Sequence, residues 1–252
     1  SDGPTKILQQ ESEGEVTGFN TNIRAGADYF FSEKSIFTAS YLLSRANGGR
    51  ITENYYKDYL GSINNPIANS LRVQEEDEVE PMGETVLSYK RSFDRKGHEL
   101  MASFRFLDHS ETSDQLFTQT GNLANGAIDP ANTFVQHSLN DEFEKQFLYQ
   151  LDYVQPIGKE GKFEIGGRSN FRKMVNDYFV KITEGSNEYT AVPELDNLFR
   201  YNENISAAYG IISDKKDKVS YQIGLRSEWT DITTILEKTN EENPRKYFNL
   251  FP

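Results

Sequence analysis

The chain has 252 residues, 36% of them hydrophobic and 26% charged, with no cysteine and a formal net charge of -12. The missing thiols exclude a disulfide framework, a thiolate nucleophile and a cysteine-ligated metal, and the negative charge has the wrong sign for a phosphate-backbone binder, so no nucleic-acid partner is expected. No run approaches the roughly 18 to 20 apolar residues of a membrane helix, while 17 Phe and 14 Tyr against 1 Trp concentrate the apolar area in rings, which favours strands.

The ends read as those of an excised piece. Ser1-Asp2-Gly3-Pro4 is neither an initiator methionine nor a basic-then-apolar leader, and Tyr247 to Pro252 stops inside an aromatic segment. Residues 1–17 read as an N-terminal extension or linker. From residue 18 onward a period of two replaces any helical period. Ile23, Ala25, Ala27, Tyr29 and Phe31 alternate with Asn22, Arg24 and Asp28, and Phe37, Ala39, Tyr41 and Leu43 with Thr38, Ser40 and Ser44. Further on, Leu100, Ala102, Phe104 and Phe106 alternate with Glu99, Ser103 and Arg105. Phe147, Tyr149, Leu151 and Tyr153 alternate with Gln146, Gln150 and Asp152, then Phe163, Ile165 and Phe171 with Glu164, Arg168 and Asn170. The last stretches set Tyr201, Ile205, Ala207 and Tyr209 against Arg200, Asn202 and Asn204, and Val219, Tyr221, Ile223, Leu225 and Trp229 against Gln222, Arg226 and Glu228.

The connections between these stretches alternate as well. Hairpins centred near Glu33, Arg95, Gly158 and Lys216 are short and rich in Gly, Pro, Asp and Lys. Between them, 45–84, 107–142, 172–198 and 231–246 are long and polar and are expected to be loops. Compact soluble domains seldom carry loops beyond about 12 to 15 residues. Short turns on one rim and long loops on the other, joined by alternating stretches of about ten residues, are the pattern of a transmembrane β-barrel. The fold class expected is therefore all-β, an antiparallel up-and-down meander forming about eight or nine strands of a larger barrel, with residues 18–252 as one partial outer-membrane barrel. A soluble β-sandwich shows the same alternation and is the alternative. Tyr29, Phe30, Phe31, Tyr89, Phe93 and Tyr153 sit at strand ends as girdle candidates.

Arginine recurs on the rows assigned to the lumen, at Arg24, Arg105, Arg168, Arg200 and Arg226, interspersed with Asp28, Glu99, Glu144, Asp152, Glu164 and Glu228. These read as a polar lining, or more plainly as ion pairs holding a hydrated wall together. Lys145 and Glu203 fall on the lipid-facing parity and are expected near a rim, where a charge costs least. In the expected loops, Tyr55, Tyr56 and Asp58 are weak candidates for ligand contact. Glu75-Glu76-Asp77-Glu78 lacks the spacing of an EF-hand and reads as a solvated acidic segment, so no metal site is assigned. His98, His109 and His137 have no metal-binding spacing, and His109-Ser110-Glu111 supplies triad residue types without triad geometry. No cofactor and no catalytic residue is assigned, and an enzyme is not expected.

Several segments resemble the β-barrels of TonB-dependent receptors of Gram-negative bacteria, in the branch called the outer-membrane β-barrel family. They are Ala27 to Ser35 running into Tyr41, Gln150 to Ile157 followed by Phe163 to Arg168, Phe199 to Tyr209 continuing into Tyr221 to Thr230, and the closing Tyr247 to Pro252. The resemblance implies a bacterial outer-membrane receptor that imports a ligand across the bilayer, energised by the TonB coupling protein through a plug domain that this chain does not show. It carries over neither the ligand nor a ligand-binding residue. A structural or adhesive outer-membrane barrel without active transport is the other reading.

Overall fold

In the computed structural model, which describes residues 4–183 and 188–252, the chain is a single sheet built by consecutive strands. The strands are β1 (Lys6–Ser32), β2 (Ser35–Leu60), β3 (Pro66–Ser92), β4 (Glu99–Leu123), β5 (Phe134–Ile157), β6 (Gly161–Thr183), β7 (Thr190–Ala191), β8 (Asn197–Lys216), β9 (Val219–Leu236) and β10 (Glu241–Phe251). All pairings are antiparallel in the order β1-β2-β3-β4-β5-β6-β8-β9-β10, with the two-residue β7 on the end of β6. This is the expected meander, and the single sheet without crossovers leaves no second layer for a sandwich. The four hairpins turn where the sequence places them, at 33–34, 93–98, 158–160 and 217–218. Gly97 and Gly158 take φ of 79° and 57° there, a backbone region in which a Cβ is strained.

The long polar segments differ from expectation. Most of 45–84, 107–142, 172–198 and 231–246 is paired strand, and the connections on that rim shrink to 61–65, 124–133, 184–196 and 237–240. Of these residues, 184–187 lie outside the described ones, as do Ser1 to Gly3 of the N-terminal segment, whose residues from Lys6 to Thr17 already belong to β1. The last strand likewise begins at Glu241 rather than near 246. The physical reason is environment: above a bilayer both faces of a strand meet water, so pairing continues while the apolar period that announces it disappears.

Register fixes the two faces, because residues directly opposite in a ladder share a side. Ile23, Ala25, Tyr41, Leu43, Phe104, Tyr149, Ile165, Ile223 and Leu225 lie on one face, the belt face. Arg24, Arg105, Gln150, Arg168, Gln222 and Arg226 lie on the other, the polar face. Asp108 and Lys145, opposed on β4 and β5, mark the upper edge of the apolar belt, the rim position expected for Lys145. The belt drifts by about eight residues over the seven strand-to-strand steps from β1 to β9. At about 3.3 Å rise and 4.8 Å spacing this is a tilt near 40°, that of membrane barrels.

There is no interior in the soluble sense. Val180 is the single buried large apolar side chain among the described residues, whereas Ile23 and Ile223 are 61% and 69% exposed. The accessible area of 16862 Å² compares with roughly 11,000 Å² for a compact soluble monomer of this mass. What stabilises the apolar belt must come from outside the chain, and lipid supplies it.

Candidate functional site

The polar face carries the charges in two tiers. Level with the belt stand the arginines. Arg105 donates to Gln146 at 2.7 Å and pairs with Glu84 at 3.5 Å, Arg226 pairs with Glu228 at 2.8 Å, and Arg172, which the lumen reading omitted, pairs with Glu144 at 2.7 Å. These bonds run both across and along strands, so the lining is cross-linked at Arg105, Arg172 and Arg226.

Arg200 is the exception among the five predicted lumen arginines. The β6–β8 register opposes Ala207 to Arg168, which puts Tyr201, Glu203, Ile205, Ala207 and Tyr209 on the polar face and Arg200 on the belt face, near the far rim, where it pairs with Glu237 at 2.6 Å. The sequence reading of this strand is therefore inverted, and Glu203 is not on the lipid side. The tyrosines explain the inversion: each brings a hydroxyl that the polar face satisfies, Tyr201 donating to Glu203 at 2.6 Å and Tyr209 to Asp152 at 2.6 Å. Phe30 is similarly on the polar face, unlike its neighbours Tyr29 and Phe31, whose rings pack edge-on at 4.8 Å on the belt side.

Above the belt, the polar face of β3–β5 becomes acidic. Glu76 and Glu78 point to it, while Glu75 and Asp77 lie on the other side, so the acidic segment is split by the pleat. Glu76 is committed to Ser113 at 2.9 Å and Gln115 at 2.7 Å. Glu78, Glu80 and Glu111 converge, each offering a carboxylate oxygen within 4.8 Å of the others. Among the described residues no lysine or arginine pairs with any of the three. The hydrogen bond between Glu78 and Glu80, followed by burial and the neighbouring charges, raises the Glu78 carboxyl to about 7, and burial raises that of Glu111. The β3–β4 ladder is interrupted here, resuming from Val79–Thr112 at Met82–His109, because Pro81 has no N–H to give. Sequence reasoning missed this cluster. The signal was the i, i+2 spacing of Glu76, Glu78 and Glu80 beside a proline.

Of the three weak ligand candidates, Tyr55 and Tyr56 border one groove from opposite faces of the strand and Asp58 does not border it. Tyr55 is on the belt face, its hydroxyl donating to Glu53 at 2.5 Å, and Tyr56 and Asp58 are on the polar face. Tyr55 borders a surface groove of about 760 Å³ shared with Tyr59, Ile63, Asn69, Thr120 and Asn122 at the top of β2–β4. Of the histidines, His98 stacks on Phe93 and bonds Tyr153 at 3.0 Å beside a turn, and His137 meets Asp114 across the β4–β5 ladder, so neither is set beside a nucleophile.

Comparison with known proteins agrees with this architecture. A family model described as the outer membrane protein beta-barrel family matches residues 91–252. No curated protein matches the sequence. Among solved structures, the crystal structure of the ferric citrate transporter FecA in the unliganded form matches at 9% identity with a TM-score of 0.35. The match covers 92% of this chain, which spans 40% of that structure's length.

Proposed function

The chain belongs to the outer membrane protein beta-barrel family and lies in the bacterial outer membrane with the lipid bilayer against its belt face; from that premise we propose that it is the wall of a receptor that imports a ligand across that membrane, driven by TonB, and that it is not an enzyme. The observation that carries the reading is the division of one sheet into an apolar belt on one face and a lining that bears the ion-paired arginines Arg105, Arg172 and Arg226 on the other. As part of a larger closed barrel, residues 18–252 form one side of a hydrated lumen lined by Arg24, Arg105, Arg168 and Arg226, and the tall β1–β6 wall carries that lining well beyond the bilayer. Tyr56 and Asp58, at the top of the polar face, are the two early ligand candidates that remain compatible with a ligand in the lumen.

The energy coupling is supported by the resemblance to TonB-dependent receptors, in which a plug domain makes the TonB contact. The test is uptake by cells that carry the full-length protein, measured with and without TonB and with and without a proton-motive-force uncoupler. Loss of uptake in both arms is expected. Uptake that persists without TonB replaces this reading with a passive or structural barrel.

A further inference from the structure

The groove beside Tyr55, of about 760 Å³, opens mainly on the wrong face for an imported ligand. Register places most of its residues in two rows, Tyr55–Leu71–Thr120 and Lys57–Asn69–Asn122, on the side that lower down is the apolar belt, with Tyr56, Ala68 and Ser70 of the polar side bordering it from between those rows. The same three strands, β2, β3 and β4, thus carry a lipid-facing surface at Leu43 and Phe104 and the groove above it, without a change of side. From Leu43 to Tyr55 is about 40 Å along the strand, or about 30 Å of height at the barrel tilt. What surrounds the outer side of the wall at that height is the outer leaflet's own glycolipid. There it presents sugar rings, its acyl chains and membrane-proximal phosphates being lower.

We infer that this groove holds the oligosaccharide of the outer-leaflet glycolipid, lipopolysaccharide. Its chemistry suits neutral sugars. Tyr55, 40% exposed, and Tyr59 contribute ring surface for the apolar face of a hexose, and their hydroxyls are fixed by Glu53 and by Gln9 at 3.1 Å. Ile63, 67% exposed in the turn, extends the apolar floor. Asn122 donates to Asn69 at 3.2 Å, which leaves the Asn69 amide hydrogens and the Asn122 carbonyl oxygen without a partner in that bond, and both residues line the groove with Thr120. Lys57 is the one cation among the groove's lining residues, too little for a phosphate cluster. The inference rests on the outer-membrane placement and on the register of β2–β4, and does not depend on import or on TonB.

The experiment uses the full-length protein extracted from outer membranes into detergent, titrated calorimetrically with intact lipopolysaccharide and with its deacylated oligosaccharide. Both are expected to bind, since the sugar carries the contact. Tyr55→Ala with Tyr59→Ala weakens oligosaccharide binding at least about tenfold. Tyr55→Phe with Tyr59→Phe retains it, and Asn69→Leu, a surface change that spares the tyrosines, weakens it. Asn54→Ala, one residue along from Tyr55, on the opposite face and not bordering the groove, leaves it within about twofold of the parent. The inference is overturned if the deacylated oligosaccharide does not bind, if only the acylated form binds, or if Asn54→Ala and Tyr55→Ala with Tyr59→Ala lower binding equally.

Discussion

Tyr209 lies across Gly166 on the polar face and donates its hydroxyl to Asp152 Oδ1 at 2.6 Å, bridging β8, β6 and β5. A Cβ on Gly166 would collide with the Tyr209 ring and sit 2.6 Å from that same carboxylate oxygen. The absent side chain is therefore what lets the ring lie flat on the sheet, an arrangement that fastens register at a glycine. Gly166→Ala is expected to cost about 1–3 kcal/mol by overpacking, whereas Tyr209→Phe, which keeps the ring, costs about 1 kcal/mol for one hydrogen bond. Urea unfolding of the full-length protein in detergent micelles checks both, and a Gly166→Ala midpoint equal to that of the parent would remove the packing argument.

The two faces make a second prediction. Ile223, 69% exposed on the belt face, and Gln222, next to it on the polar face, differ by one residue and by solvent. Ile223→Arg is expected to destabilise the folded barrel in lipid by about 2–4 kcal/mol, the cost of a cation near the bilayer midplane. Gln222→Arg should change stability by less than about 1 kcal/mol. Equal losses in lipid vesicles would mean that the faces are not divided between lipid and water.

These two faces were legible in the sequence wherever lipid enforces the alternation. Ile23 and Arg24, Phe104 and Arg105, and Ile223 and Gln222 divide between opposite faces, as their period of two predicts. Above the belt, Gly48 to Glu53 and Gln74 to Glu78 carry no apolar period because both of their faces are wet, and so strands read as loops. Strand β8 failed for a different reason. Its tyrosines satisfy hydroxyls with Glu203 and Asp152 on the polar side, and a period-two test counts a tyrosine as apolar wherever it points. The convergence of Glu78, Glu80 and Glu111 depends on the β3–β4 register, which no local pattern reveals.

That convergence gives a pH dependence with a definite sign. A carboxyl raised from its ordinary range to about 7, as at Glu78, binds its proton more tightly in the folded wall than in the unfolded chain. The stabilisation is present in full below the unfolded pKa of about 4.5 and declines as pH rises through about 7. The effect should be local, because Pro81 already interrupts the ladder at this point. Amide-exchange protection, corrected for the intrinsic rate, is expected to fall for Val79 and Met82 on β3 and for Glu111 and Thr112 on β4 between pH 5 and pH 8. Protection in Glu78→Gln should be nearly flat over the same interval. A parent whose protection at these amides rises with pH would reverse the assignment.

The upper hairpin of β2 and β3 allows the wall and the proposed receptor role to be separated. Arg50 and Glu76 are opposed in the ladder, so their Cα atoms already lie about 5 Å apart, and residues 51–75 can be replaced by a two-residue Asn-Gly turn without shifting the register of 35–49 against 77–91. The belt residues Phe37, Tyr41 and Leu43 keep their partners, and what is removed lies above the bilayer. Neighbouring stretches of β1 and β4 lose their cross-strand partners over the same height, which loosens the top of the wall without touching its base. The shortened protein is expected to insert and to retain the heat-modifiable gel mobility of a folded barrel, while Tyr56 and Asp58 are gone from the polar face. If it folds and imports at the parent's rate, recognition is elsewhere on the lining. If it fails to fold, the strands above the belt are part of the barrel's stability rather than a raised rim added to it.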